Sequence, residues 1–107
     1  MQNDSEKQDD YPAQNIETYF LKLFVTGASP NSIRAISNIK SICELNLEDN
    51  YVLEIIDVYQ QPLMAESEQI VALPLLIKKA PFPEKRMIGD LSDTGKVLKA
   101  LGLLDCD

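Results

Sequence analysis

Tyr19-Phe20-Leu21-Lys22-Leu23-Phe24-Val25-Thr26-Gly27-Ala28-Ser29-Pro30-Asn31-Ser32-Ile33-Arg34 spells a strand that runs directly into a capped helix. From Phe20 to Val25 only Lys22 interrupts the apolar residues, and Phe and Val favour strands, so this segment belongs inside a sheet. Gly27 permits the turn. Ser29 is placed to accept a hydrogen bond from the first free amides of the helix, and Pro30 suits its first position because its φ already fits and its missing N–H is not needed there.

Downstream, Ile33, Ile36, Ile39, Ile42 and Cys43 recur at steps of three and one, with Arg34, Asn38, Lys40 and Ser41 between them. The pattern predicts an amphipathic helix that packs those residues on a sheet and fades by Leu47. Glu48-Asp49-Asn50 forms a turn, and Tyr51 to Val58, rich in branched residues, is a second strand. Strand, crossover helix and strand make a βαβ unit with parallel strands. Pro62 then opens a short helix over Leu63 to Gln69. Ile70 to Lys78 is long and apolar enough for a buried strand, yet Pro74 has no amide for a central ladder and must stand at the strand's start or at an edge. Pro81-Phe82-Pro83-Glu84 turns the chain, and Lys85 to Gly89 returns antiparallel. Asp90-Leu91-Ser92 caps a last helix whose Val97, Leu98 and Leu101 share a face, with Gly102 ending it.

The chain has 107 residues, 45% of them hydrophobic and 25% charged, enough for one core and ordinary for a globular domain. Its formal charge of −7 disfavours nucleic acid or an anionic membrane as a partner. No apolar run has the length of a membrane span, and the polar amino terminus lacks a signal-peptide pattern, so the expected location is the cytoplasm. Residues 1–18 read as a disordered acidic leader with Asp4, Glu6, Asp9, Asp10 and Glu17 against Lys7. The folded domain is expected over 19–104, followed by a short tail at 105–107.

Histidine is absent, and Cys43 and Cys106 form neither a CxxC pair nor a ligand cluster. Two reduced thiols, no metal, no cofactor and no enzyme activity are the expectation. The order βαβαββα is that of a thioredoxin-like α/β fold with a four-stranded mixed sheet flanked by helices. A thioredoxin-type enzyme needs a CxxC where the first strand meets its helix, because the helix amino terminus lowers the thiol pKa. Ala28-Ser29-Pro30-Asn31 stand there instead. Asp57, at a strand end, is expected to anchor a loop rather than act as a catalytic carboxylate.

The motifs Leu21 to Gly27, Ser29 to Ser32, Ile56-Asp57-Val58, Gln61-Pro62, Ala72-Leu73-Pro74-Leu75 and Arg86 to Ser92 together resemble the KaiB family of circadian clock proteins, over roughly Tyr19 to Leu104. The resemblance implies a noncatalytic adaptor that binds KaiC, a clock ATPase, in a thioredoxin-like state. It also implies an alternative ground-state fold, a tetramer whose carboxy-terminal half is rearranged. On the family's pattern, partner binding falls to Pro30, Asn31, Arg34, Glu54, Pro74, Lys78, Lys85 and Arg86. Arg34, Lys78, Lys85 and Arg86 either gather into one basic patch for an acidic partner or are solvated surface charges. Glu54 stands where clock members usually carry Lys, Asp105 where Tyr is common, and Ala100 and Gly102 replace a Gly and an Asp. Ala100 favours a helix and Gly102 its end, so a monomer in the thioredoxin-like state is preferred over a tetramer or dimer. The competing readings are a thioredoxin-like redox protein and a modulator of a histidine kinase pathway.

Overall fold

The computed structural model describes residues 17–104. Most of the acidic leader, the tail and Cys106 lie outside them. Seven elements follow in order: β1 (Tyr19–Val25), α1 (Pro30–Asn46), β2 (Tyr51–Asp57), α2 (Pro62–Ser67), β3 (Leu75–Ala80), β4 (Lys85–Ile88) and α3 (Thr94–Leu101). The sheet runs β2-β1-β3-β4, with β1 and β2 parallel and the other two pairs antiparallel. This is the expected thioredoxin-like βαβαββα arrangement.

Alternation along the strands sorts side chains onto two faces. Leu21, Leu23, Val25 and Leu76 join Ala35, Ile39, Ile42 and Cys43 of α1 and Val97 and Leu101 of α3 in the larger core. Phe24, Ile56, Leu75 and Ile77 form a smaller core on the other face, packed by Met64 and Ala65 of α2 and by Ile70 and Leu73 of the following loop.

Three expectations are corrected. Ile33 does not pack on the sheet but is 53% exposed, and buried Ser32 and Ala35 complete the inner face of α1. A strict three-residue repeat drifts by about 60° per step around a helix of 3.6 residues per turn, so the isoleucine series winds away from the sheet. The apolar run from Ile70 is not one strand. Pro74 cannot donate to a ladder, so β3 starts after it, and its carbonyl accepts from Gly89 N at 3.0 Å. The last helix is capped by Asp93, which accepts from Lys96 N at 3.2 Å, and not by Asp90 or Ser92. Leu91 has a φ of 63°, outside helical geometry, so α3 can begin only beyond it. Its other end is as expected, with Gly102 left-handed at φ 79°.

Candidate functional site

The junction of β1 and α1 carries hydroxyls where a redox enzyme carries sulfur. Ser29 Oγ accepts from Ser32 N at 3.2 Å and so caps α1, while donating to Ser32 Oγ at 2.8 Å. Thr26 N donates to the same Ser32 oxygen at 3.1 Å, and Thr26 Oγ1 donates to Ser29 Oγ at 3.2 Å. These groups satisfy one another in a site where burial would make an unpaired hydroxyl costly. Pro30 and Asn31 are exposed at the helix start, and Asn31 Oδ1 accepts from Arg34 Nη2.

Arg34 fastens this corner to the loop after β4. Its Nε donates to Asp90 Oδ2 at 3.1 Å, and Asn38 Nδ2 donates to the Asp90 carbonyl at 2.8 Å. Hydrogen bonds from Ser92 and from Arg34 hold the Asp90 carboxyl below its ordinary pKa. Through the Gly89–Pro74 bond, the Pro74 loop joins the same end of the sheet. The Leu73–Pro74 peptide is cis and the proline is buried. Asp57 anchors the neighbouring loop by accepting from Tyr59 N at 2.9 Å.

The other expected partner-binding residues lie elsewhere, so the four cations do not form one patch. Register puts Lys78 opposite Lys85 and Ile77 opposite Arg86, which separates the cations onto the two faces of the β3–β4 hairpin. Lys78 is only 4% exposed, with its ammonium 6.0 Å from the centre of the Tyr19 ring. Burial, then the charge of Lys85, pulls its pKa below the ordinary lysine value. Lys85 is exposed.

On the opposite face Arg86 meets Glu68, the residue after α2. Glu68 lies 3.1 Å from Lys79, 3.4 Å from Arg86 and 3.8 Å from Lys22, and its carbonyl accepts from Arg86 Nη2 at 2.8 Å. Glu84 adds pairs to Lys79 at 3.5 Å and Arg86 at 3.7 Å. The hydrogen bond that the Lys79 ammonium donates to the Glu68 carboxylate is the main reason the Lys79 pKa is raised. Glu54 is exposed on the edge strand β2, opposite Lys22 in register, while the Lys22 ammonium turns to Glu68. Sequence reasoning missed Glu68, whose partners are 11 and 18 residues away on β3 and β4 and farther off on β1, with no local pattern to announce them.

Cys43 sits near the far end of α1, about 20 Å along the helix from Pro30 at 1.5 Å per residue. Burial, with Glu44 adding to it, pushes its thiol up to about 11, so it stays protonated near neutrality. No group of three or more His, Cys, Asp or Glu among the described residues could hold a metal ion, and no described helix is long and apolar enough to cross a membrane.

Fold and corner together define a thioredoxin-like protein with a hydroxyl cluster at the position of the dithiol. Solved structures with this fold include the N-terminal domain of Synechococcus elongatus SasA, which is 24% identical with a TM-score of 0.67, the alignment covering 94% of this chain and 98% of that one. The Drosophila melanogaster thioredoxin Deadhead is 16% identical with a TM-score of 0.66, covering 83% of each chain. The KaiB domain model matches residues 22–103, and the chain belongs to the KaiB family. It is 49% identical over 88 residues to the circadian clock oscillator protein KaiB of Synechococcus elongatus, covering 82% of this chain and 86% of the relative. The KaiB of Prochlorococcus marinus subsp. pastoris is 50% identical over 88 residues, covering 82% of each.

Proposed function

We propose that this chain is a noncatalytic regulatory adaptor that binds a KaiC-like ATPase in the cytoplasm, in a circadian clock or in signalling derived from one. The observation that carries this reading is the family membership, at 49% identity to a clock oscillator protein across most of both chains. The surface at the β1–α1 corner fits an adaptor. Pro30, Asn31 and Arg34 are exposed on a corner that Asp90 and the Pro74 loop hold in place, a rigid surface for a protein partner. Neither the hydroxyl corner nor the protonated Cys43 supplies a thiolate for disulfide exchange.

Size-exclusion chromatography of the chain mixed with the KaiC-like ATPase of the same genome, with nucleotide present, tests the reading. Comigration is expected, and its absence overturns it. Insulin reduction is expected to show no turnover, and activity abolished by Cys43→Ser would favour a redox protein instead.

A further inference from the structure

A sheet presents unpaired amides and carbonyls along each outer strand, and an edge left open is a template for another chain. Among the described residues β4 pairs with β3 alone, and it holds no proline that would remove a donor. Beside it runs a groove of 330 Å³ lined by Arg86, Met87, Ile88, Lys96 and Ala100, room for a side chain rather than for a large molecule. Ile88 is 63% exposed. At about 100° per residue, Lys96, Lys99 and Ala100 share one side of α3, and both lysines are exposed. No carboxylate among the described residues lies within ion-pair distance of Lys85, Lys96 or Lys99. Residues 75–101 carry six Lys and Arg against three Asp and Glu, although the formal charge of the whole chain is −7. The opposite edge of the sheet, β2, carries Glu54 and Asp57 instead.

We propose that β4 receives an extended acidic segment of a partner protein as a fifth strand of the sheet. Main-chain hydrogen bonds supply the attachment, and alternation along the added strand sets its chemistry. Its side chains on the α1/α3 face come beside Lys85, Lys96 and Lys99 and are carboxylates. Those on the other face come beside Ile88 and are apolar. Charge decides against the competing arrangements. Two copies meeting at β4 bring the exposed lysines of one against those of the other, and the carboxylates of β2 turn an acidic strand away from the second edge. The docking edge does not rest on the KaiC reading.

The probe is a heptapeptide that alternates aspartate and valine and is blocked at both ends, titrated into the isotope-labelled full chain while amide chemical shifts are followed. Shifts over Lys85–Ile88 and over residues 96–100 are expected, with affinity falling as salt is added. Methylating either the valine amides or the aspartate amides of the peptide leaves its charge unchanged. One of the two sets, and not the other, is expected to lower affinity about tenfold, because only alternate amides of an added strand face β4. Lys96→Gln combined with Lys99→Gln is expected to lower it about fivefold. Absence of shifts at millimolar peptide, shifts centred on β2 or on the β1–α1 corner, or equal binding of all three peptides overturns the proposal. Exchange protection, in the free chain, of β4 amides that do not bond to β3 also overturns it, since the edge is then already taken by a second copy or by the chain's own ends. No KaiC-like protein is present in these measurements, so their failure leaves the adaptor reading untouched, and failure to bind KaiC leaves the edge result standing.

Discussion

The two faces of the β3–β4 hairpin carry cations in opposite circumstances. On the α2 face, Lys79 and Arg86 converge with Lys22 on Glu68, and Glu84 takes up remaining donors. On the α1/α3 face, Lys78 and Lys85 face each other, and the described residues pair neither. The first group is committed to holding the fold, since it ties the end of α2 to three strands. The second adds repulsion to the fold and so has interaction free energy to gain from an anion. Sequence position separates them by a single residue, and only the pleat assigns them different work.

The largest expected effect strikes the matched side. Glu68→Ala takes the paired carboxylate from Lys22 and leaves Lys79 and Arg86 with Glu84 alone, and is expected to cost about 2 kcal/mol in urea denaturation, less at high salt. A loss under a few tenths would erase the contrast between the faces.

Lys78→Met is expected to act in the other direction. It removes the repulsion and the desolvated charge, and a gain of about 1 kcal/mol at pH 7 follows. Its pH dependence sharpens the test. The lowered Lys78 pKa means that the penalty is fully present below the folded value and is relieved as pH rises from there toward the ordinary lysine value of 10.5. The advantage of Lys78→Met over the parent should therefore shrink across that window. Lys79 behaves inversely, because its raised pKa keeps its contribution intact up to 10.5 and loses it only above.

The contrast also needs β3, β4 and α3 to stay where they are. Ala100 lies within α3, and Ala100→Gly is expected to cost this arrangement about 0.8–1 kcal/mol. The parent chain should scatter light as a monomer at micromolar concentration, with helical chemical shifts over Val97 to Leu101. A tetramer with strand shifts there would break the comparison altogether.

The smallest effect concerns association. Because Asp90 and Glu68 already neutralise Arg34 and Arg86, Lys85→Glu should slow binding to an acidic partner by more than Arg34→Glu or Arg86→Glu does. Equal slowing, compared at two salt concentrations, would return the four cations to the status of one diffuse field.

Local grammar made most of the fold legible. The Ser29 cap, Pro30 at the first helical position and Gly102 beyond the last helix each act within a few residues, and each stands where the sequence implied. Periodicity was less dependable, since isoleucines spaced by three point progressively off the sheet and Ile33 ends in solvent. The order of elements was readable along the chain from Tyr19 to Gly102, and the Ser29 cap at the corner from residues 19–34. The division of the cations was not, because it depends on the pairing of Lys78 with Lys85 and Ile77 with Arg86 across a turn, and a shift of one residue would reverse it. The site loop was misjudged for a related reason: Asp90 is claimed by Arg34, 56 residues earlier, which leaves Asp93 to start the helix.

The bond from the Tyr19 hydroxyl to the Leu101 carbonyl joins residues 82 apart, the opening strand to the closing turn of the last helix. The chain contains no tryptophan and four tyrosines, so its ultraviolet emission is tyrosine emission. One of those four fluorophores is thus wired by its own hydroxyl to the segment whose departure would accompany any rearrangement of the carboxy-terminal half. The molecule carries a built-in optical gauge of whether its ends are latched together.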